Sequence, residues 1–179
     1  DPARVAQAVA SLRTGDDRLV LAVSGGVDSM VLLHAVAAAD GGRMGASGRI
    51  VVATFDHGTG PHAREAVRHV LRWSEAWGVP VVSGDVSGAQ SLGDEASWRR
   101  ARWAFLRRVA REHGGAIVTA HTRDDHVETI VMRAMRGAGA RGLSALRAPS
   151  PVRRPLIDAT RDEVLAYARA YSVPYLDDP

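Results

Sequence analysis

The chain has 179 residues, of which 46% are hydrophobic, and this is enough for one compact domain with a sizeable core. The formal net charge is only +3, so charge alone neither requires nor excludes a polyanionic partner, and the sequence contains arginine but no lysine. The lack of cysteine excludes disulfides, thiolate nucleophiles and cysteine-bound metal centres. No apolar run approaches the roughly 18 residues that cross a bilayer, and we expect a cytoplasmic protein without a membrane segment.

Short runs that are apolar on both faces alternate with helical patterns along the chain. The runs indicate buried strands that start about 30 residues apart, as in parallel strand–helix–strand units; they are 19–23, 50–55, 79–82 and 116–120. The helical patterns are 28–39, 62–77, 95–113 and 124–135, followed by a helix that Thr160 and Glu163 would open as a capping box. The sequence therefore predicts an α/β fold with a doubly wound, mainly parallel five-stranded sheet flanked by helices, which is a Rossmann-like arrangement.

The motif "SGGVDS" joins the first strand directly to the first helix. Gly25 and Gly26 allow a tight turn whose amides can approach an anion closely. Ser24 and Ser29 add hydroxyl groups, whereas Asp28 would repel a phosphate unless a cation such as Mg²⁺ lies between them. The motif therefore predicts a site for a metal-bound nucleotide, and the alternative is a plain strand-to-helix turn capped by Asp28.

Two common nucleotide-binding motifs do not fit this stretch. The P-loop of kinases and GTPases needs a lysine that reaches the β and γ phosphates, and this chain has none. The dinucleotide-binding pattern Gly-x-Gly-x-x-Gly is missing after Val23. The phosphate chemistry must therefore be of another kind.

The motif "SGGVDS" resembles the PP-loop of ATP pyrophosphatases, which adenylate an oxygen of their substrate and release pyrophosphate. Further stretches carry a closer resemblance, to the tRNA(Ile)-lysidine synthase family; they are "FDHGTG" (55–60), "EASWRRARWAFL" (95–106), "HTRDDHVET" (121–129), "RGAGARGLSAL" (136–146) and "RRPLIDATRDEV" (153–164). The resemblance covers nearly the whole chain. It implies that residues 1–179 form a single PP-loop nucleotide-binding catalytic domain, truncated before further C-terminal segments.

The resemblance also implies site residues, with ATP and Mg²⁺ as cofactors. The nucleotide-binding set is Ser24, Gly25, Gly26, Val27, Asp28, Ser29, Asp56 and His121, with Asp28 next to Mg²⁺. The catalytic set is Asp28, Arg102, Asp125 and Glu128. Asp125 and Glu128 are three residues apart on one predicted helix, so their carboxylates share a face and could hold an ammonium group of free lysine.

The arginines supply candidate contacts to a polyanion. Arg99 and Arg102 share one helix face and could bind triphosphate or RNA, while Trp98 and Leu106 are expected in the core stripe of the same helix. The RNA-binding candidates are Arg99, Arg136 and Arg141, the last two in a glycine-rich loop. Phosphate contacts of this kind give affinity that falls with salt without reading base sequence. Trp73 and Trp77 are expected to pack rather than to stack on bases.

Several of these residues also have purely structural interpretations. Asp124 and Asp125 could complement a helix dipole, Asp56 could cap a loop, and His57 and His121 could serve packing alone. Arg107, Arg108 and Arg111 are expected on a solvated face.

The resemblance implies ATP-dependent ligation of L-lysine to the wobble cytidine of a CAU-anticodon tRNA(Ile), through an adenylated RNA. The alternatives are a tRNA thiolase, an ammonia-using synthetase, or an ATP-binding module without turnover. The oligomeric state stays open, with a homodimer as one option.

Overall fold

The computed structural model describes residues 2–13, 17–39, 48–86, 95–135 and 151–177. Within them, the strands are β1 (Arg18–Ala22), β2 (Ile50–Asp56), β3 (Val81–Asp85) and β4 (Gly115–Val118). The α-helices are α1 (Pro2–Ala10), α2 (Val27–Ala38), α3 (Pro61–Ala76), α4 (Glu95–His113), α5 (Arg123–Met135) and α6 (Arg161–Ala170). Short 3₁₀ helices cover Ser11–Arg13 and Pro155–Asp158.

The strands form one parallel sheet in the order β3-β2-β1-β4. Leu19 of β1 aligns with Ile50 of β2 on one side and with Ala116 of β4 on the other. The chain thus moves outward from β1 to β3 and returns to add β4 on the opposite edge. This arrangement confirms the predicted doubly wound α/β fold and places a topological switch point between β1 and β4.

The predicted number of five strands is wrong for the described residues, where the sheet has four. A single bridge residue stands where a fifth strand would pair: Arg153 donates its amide to Ile117 and accepts from the amide of Thr119. Pro155 follows two residues later, lacks an amide hydrogen and begins a 3₁₀ helix. The pairing beside β4 therefore stops after one residue.

Alternate residues of β1 supply the two halves of the core. Leu19, Leu21 and Val23 belong to a cluster that also contains residues of α1, α2 and α6, whereas Val20 and Ala22 belong to a cluster with residues of α4. Helix α2 is buried on most of its surface because it lies within the first cluster. Burying each large aliphatic side chain contributes roughly 1.5–3 kcal/mol to the free energy of folding. The sheet and α2 therefore form a stable base beneath the loops.

Most predicted helices occur within a residue of their expected bounds, and the capping box at α6 is present with both of its hydrogen bonds. Helix α1 was not predicted, although Val5 and Val9 are buried at helical spacing. Trp73 and Trp77 pack against the core as expected. None of the helices in the described ranges is long and apolar enough to span a membrane.

A candidate active site at the carboxyl ends of β1 and β4

A cleft of about 140 Å³ opens at the switch point, where the carboxyl ends of β1 and β4 lie side by side. We call it the phosphate cleft; its lining residues are Ala22, Ser24, Asp28, Ser29, Arg102, Thr119, Ala120, His121 and Asp125. Three chain segments far apart in sequence contribute to it, namely the loop before α2, the first half of α4, and the turn from β4 into α5. The location is the one at which doubly wound folds bind their ligands.

The loop before α2 is held in shape by the hydroxyl of Ser29. The amides of Ser24 and Gly25 donate to Ser29 Oγ at 3.1 and 3.2 Å, and Ser29 Oγ donates to the carbonyl of Gly26 at 2.9 Å. Gly26 is the N-cap of α2 and makes no side-chain capping hydrogen bond. The first amides of a helix carry partial positive charge, so this uncapped N-terminus can receive a phosphate while Ser29 braces the loop.

Gly25 contacts two segments that are distant from it in sequence. Its φ of +97° lies in the region that favours glycine, and a Cβ there would lie 3.3 Å from Cβ of Ala66 on α3. On its other side, the amide of Leu176 donates to the carbonyl of Gly25 at 3.0 Å. The loop is therefore supported by α3 and by the segment that follows α6, and neither Ala66 nor Leu176 was predicted from the sequence to lie near it.

The cleft has two carboxylates, Asp28 in the first turn of α2 and Asp125 in the first turn of α5. Among the described residues, no group of three or more metal-binding side chains lies together. Mg²⁺ typically binds through one or two carboxylates together with substrate phosphates. The residues present therefore fit a cation that arrives with a nucleotide.

Asp125 closes a capping box at the start of α5. Its Oδ2 accepts from the amide of Thr122 at 2.8 Å and from Thr122 Oγ1 at 3.0 Å. A carboxylate has two oxygens, so this use of Oδ2 leaves Oδ1 for a ligand in the cleft. Asp124 does not line the cleft; it accepts from the amide of Arg161 at 2.7 Å and so caps the neighbouring helix α6.

Glu128 is exposed, and it is not among the residues that line the phosphate cleft. The structure thus brings Asp125 to the predicted ligand site while Glu128 lies one helical turn further along α5. The shared helix face of the two carboxylates does not by itself place both of them in the cleft.

His121 lines the cleft and shares a hydrogen bond of 2.7 Å, through Nδ1, with Thr119 Oγ1. Burial lowers the pKa of His121, and the positive charge of Arg154 adds to this effect. Asp125 acts in the opposite direction but is outweighed. The imidazole is therefore neutral at pH 7 and can both donate and accept a hydrogen bond.

Arg102 of α4 is the cationic side chain of the phosphate cleft. Burial and the nearby charge of Arg99 lower the pKa of Arg102, yet a guanidinium keeps its proton at neutral pH. Arg99 is exposed and lies outside the cleft. Two RNA-binding candidates, Arg136 and Arg141, lie outside the described residues.

A second space of about 240 Å³ adjoins the phosphate cleft, because Arg102 lines both. We call it the side pocket; its lining residues are His57, Thr59, Trp98, Arg99 and Arg102. Trp98 was expected in the core stripe of its helix, and that prediction is wrong: Trp98 is half-buried, lines this pocket and belongs to neither core cluster. Leu106 does lie in the core.

Asp56, expected near the nucleotide, lines neither space. Its Oδ1 accepts from the amide of Gly58 at 2.8 Å, which is the loop-capping contact that was its structural alternative. That contact shapes the turn after β2 and so positions His57 and Thr59 at the side pocket.

The fold is that of a nucleotide-binding α/β domain, and a glycine-rich turn joins its first strand to the next helix. Residues 2–179 match the family model described as a PP-loop domain, and the chain belongs to that family. The solved structure of a U34-tRNA thiolase from Methanococcus maripaludis superimposes with a TM-score of 0.74 at 17% identity, covering 99% of this chain and 65% of that chain. An NH3-dependent NAD synthetase from Campylobacter jejuni gives a TM-score of 0.61 at 11% identity, covering 96% and 74%. These likenesses show the fold alone.

Curated relatives are more similar in sequence. The chain is 38% identical over 168 residues to a tRNA(Ile)-lysidine synthase from Bradyrhizobium diazoefficiens, covering 90% of this chain and 46% of that protein. It is 41% identical to a tRNA(Ile)-lysidine synthase from Thermus thermophilus, covering 91% and 32%. One from Salinispora tropica is 37% identical, covering 89% and 50%. The chain thus spans between about a third and a half of the length of these relatives.

Proposed function

We propose that the chain is the ATP-using catalytic domain of a tRNA(Ile)-lysidine synthase, which joins L-lysine to the wobble cytidine of a CAU-anticodon tRNA(Ile). The observation that carries the proposal is that the PP-loop, Arg102 and the carboxylate of Asp125 open into one cleft. Such a cleft offers amides and a guanidinium for a triphosphate and a carboxylate for an amine. The similarity to lysidine synthases over about 90% of the chain supports the choice of substrates.

In the first step, the C2 oxygen of cytidine attacks the α phosphorus of ATP, and the bond to the β-phosphate oxygen breaks so that pyrophosphate leaves. The amides at the start of α2 and Arg102 would stabilise the charge that develops on the departing group. Asp28 would hold Mg²⁺, which supplies neutralising charge at the phosphates.

In the second step, the side-chain amine of lysine attacks C2 of the base, and AMP leaves with the former C2 oxygen. The amine must lose a proton to act as a nucleophile, and Asp125 is the carboxylate in the cleft that can accept it. Glu128 stays a candidate for holding the second ammonium group of lysine from the rim of the site. The product is lysidine.

The test incubates the full-length protein with ATP, Mg²⁺, L-lysine and unmodified CAU-anticodon tRNA(Ile), and identifies the wobble nucleoside by mass spectrometry. We expect lysidine only when both ATP and lysine are present. Unmodified cytidine in the presence of folded protein and intact tRNA would overturn the proposal. ATP binding without release of pyrophosphate on addition of tRNA would then favour an ATP-binding module, and the lack of cysteine in this chain argues against a cysteine-dependent tRNA thiolase.

A further inference from the structure

The side pocket lies beside the phosphate cleft, and its position restricts what it can bind. His57 and Thr59 follow the carboxyl end of β2, while Trp98, Arg99 and Arg102 come from the first half of α4. Since Arg102 lines both spaces, a group in the side pocket lies across this guanidinium from a group in the phosphate cleft. A reaction partner of the bound nucleotide could therefore occupy it.

The lining of the side pocket suits a planar, neutral heterocycle with carbonyl or ring-nitrogen acceptors. Trp98 offers an aromatic face, and base–aromatic stacking contributes about 1–3 kcal/mol per base. Arg99 and Arg102 offer N–H donors, and Thr59 offers a hydroxyl that can donate or accept. Among the described residues, no carboxylate lines this pocket, so this lining does not suit an ammonium group.

His57 contributes a buried ring nitrogen to the side pocket. Its Nδ1 is buried and, within the described part of the chain, has no hydrogen-bond partner. Burial lowers the pKa of His57, and the charge of Arg102 adds to this, so the ring is neutral at pH 7 and offers one donor and one acceptor. The ring also packs edge-on against Phe55, which restricts its orientation. The half of the pocket that His57 contributes is therefore held in place by packing.

We propose that the side pocket receives the target base of the RNA, stacked on Trp98, with the C2 carbonyl of the pyrimidine directed toward Arg102 and the phosphate cleft. This inference rests on the proposed function and adds a site for the RNA substrate that is separate from the carboxylates of the phosphate cleft. Base recognition in single-stranded RNA typically combines an aromatic platform with hydrogen bonds to the base edges. The competing occupant is the adenine of ATP, and the experiment separates the two.

The experiment compares Trp98→Ala and Trp98→Phe in the full-length protein, with Trp73→Phe, a core-packed tryptophan of α3, as the matched control. We expect Trp98→Ala to raise KM for tRNA by about tenfold, corresponding to about 1.4 kcal/mol, with KM for ATP unchanged. Trp98→Phe should retain most of the affinity because it keeps an aromatic face. A rise in KM for ATP alone would assign the pocket to adenine and overturn the proposal, as would unchanged values for both substrates.

A second measurement separates stacking from a merely structural role of Trp98. Binding is measured for a CAU-anticodon RNA and for the same RNA with an abasic nucleotide at the wobble position. Trp98→Ala should weaken binding of the first RNA and leave binding of the abasic RNA unchanged, whereas a structural defect would weaken both equally. If Trp98→Ala fails to fold, the fluorescence of Trp98 is followed instead, as the difference between the signals of the wild-type protein and of Trp98→Phe. The intact RNA should quench this difference signal and the abasic RNA should not. Equal quenching by the two RNAs would overturn the proposal.

The two proposals fail in different ways. Wild-type protein that releases no AMP on addition of tRNA and lysine would defeat the proposed function. Active wild-type protein with an unaffected Trp98→Ala variant would defeat the assignment of the side pocket alone.

Discussion

The phosphate cleft and the side pocket share Arg102 but differ in how the chain builds them. The phosphate cleft combines one continuous loop, whose shape is fixed by internal hydrogen bonds to Ser29 Oγ, with side chains from α4 and from the turn between β4 and α5. The side pocket depends on side chains from two segments separated by a strand and a helix, His57 and Thr59 in one and Trp98 and Arg99 in the other. The loop of the phosphate cleft is thus shaped within one short stretch of chain, whereas the side pocket is shaped by side chains that only the fold brings together.

The largest effect is expected from removing the carboxylate of Asp28 in the phosphate cleft. Asp28→Ala should reduce tRNA-dependent pyrophosphate release by about 100-fold or more, because the loss of one preorganised electrostatic group in a closed site has consequences of this size. Asp162→Ala, in the first turn of α6 and outside both spaces, is the control and should retain wild-type turnover. Full activity of Asp28→Ala in a pyrophosphate-release assay would contradict the role of Asp28 at Mg²⁺.

A smaller effect is expected from adding one carbon atom to the loop. Gly25→Ala places a Cβ against Ala66 at a φ of +97°, whereas Gly78→Ala places one in open space at a φ of +68°. Both variants should lose about 1–2 kcal/mol of stability, because a left-handed backbone strains any residue with a Cβ. Only Gly25→Ala should also weaken ATP binding, by about tenfold. Urea unfolding and calorimetric titration with ATP measure the two quantities, and equal ATP affinity in both variants would show that the contact with Ala66 does not shape the site.

The smallest effect concerns pH and applies to both regions, since burial lowers the pKa of His121 in the phosphate cleft and of His57 in the side pocket. In the unfolded chain these two histidines become protonated below about pH 6.5. In the folded chain they become protonated only at a lower pH, because their pKa is lowered. The free energy of unfolding is therefore highest above about pH 6.5 and falls as the pH drops below it. Urea unfolding at pH 7.5 and 5.5 should show this loss, and His57→Gln and His121→Gln should each diminish it. An unchanged pH dependence in both variants would count against the burial of these rings.

Sequence patterns predicted the parts of the structure that short contiguous stretches determine. The loop 24–29, the helix bounds and the capping box of Thr160 and Glu163 each depend on residues within a few positions of one another. The same reasoning explains why the phosphate cleft was found at the expected strand ends. Local sequence and topology suffice where one short stretch of chain determines the shape of the site.

The wrong or missing predictions depend on contacts between distant segments. Trp98 lies at a position that suits a core stripe, and its location in the side pocket follows from the way α4 packs across β1, β2 and β4. Helix α1 is short and weakly marked, and its helicity depends on packing against α2 and α6. The predicted fifth strand is the exception, because Pro155, only two residues after Arg153, ends the pairing there.

The hydrogen bond from the amide of Leu176 to the carbonyl of Gly25 joins residues 151 positions apart in the chain. During synthesis on the ribosome, the glycine-rich turn emerges early, but this support cannot form until the segment after α6 has also left the exit tunnel. The nascent chain should therefore acquire its sheet before it acquires a fully shaped nucleotide site. The loop around Gly25 thus gains its full set of hydrogen bonds only after nearly all of the described residues have been translated.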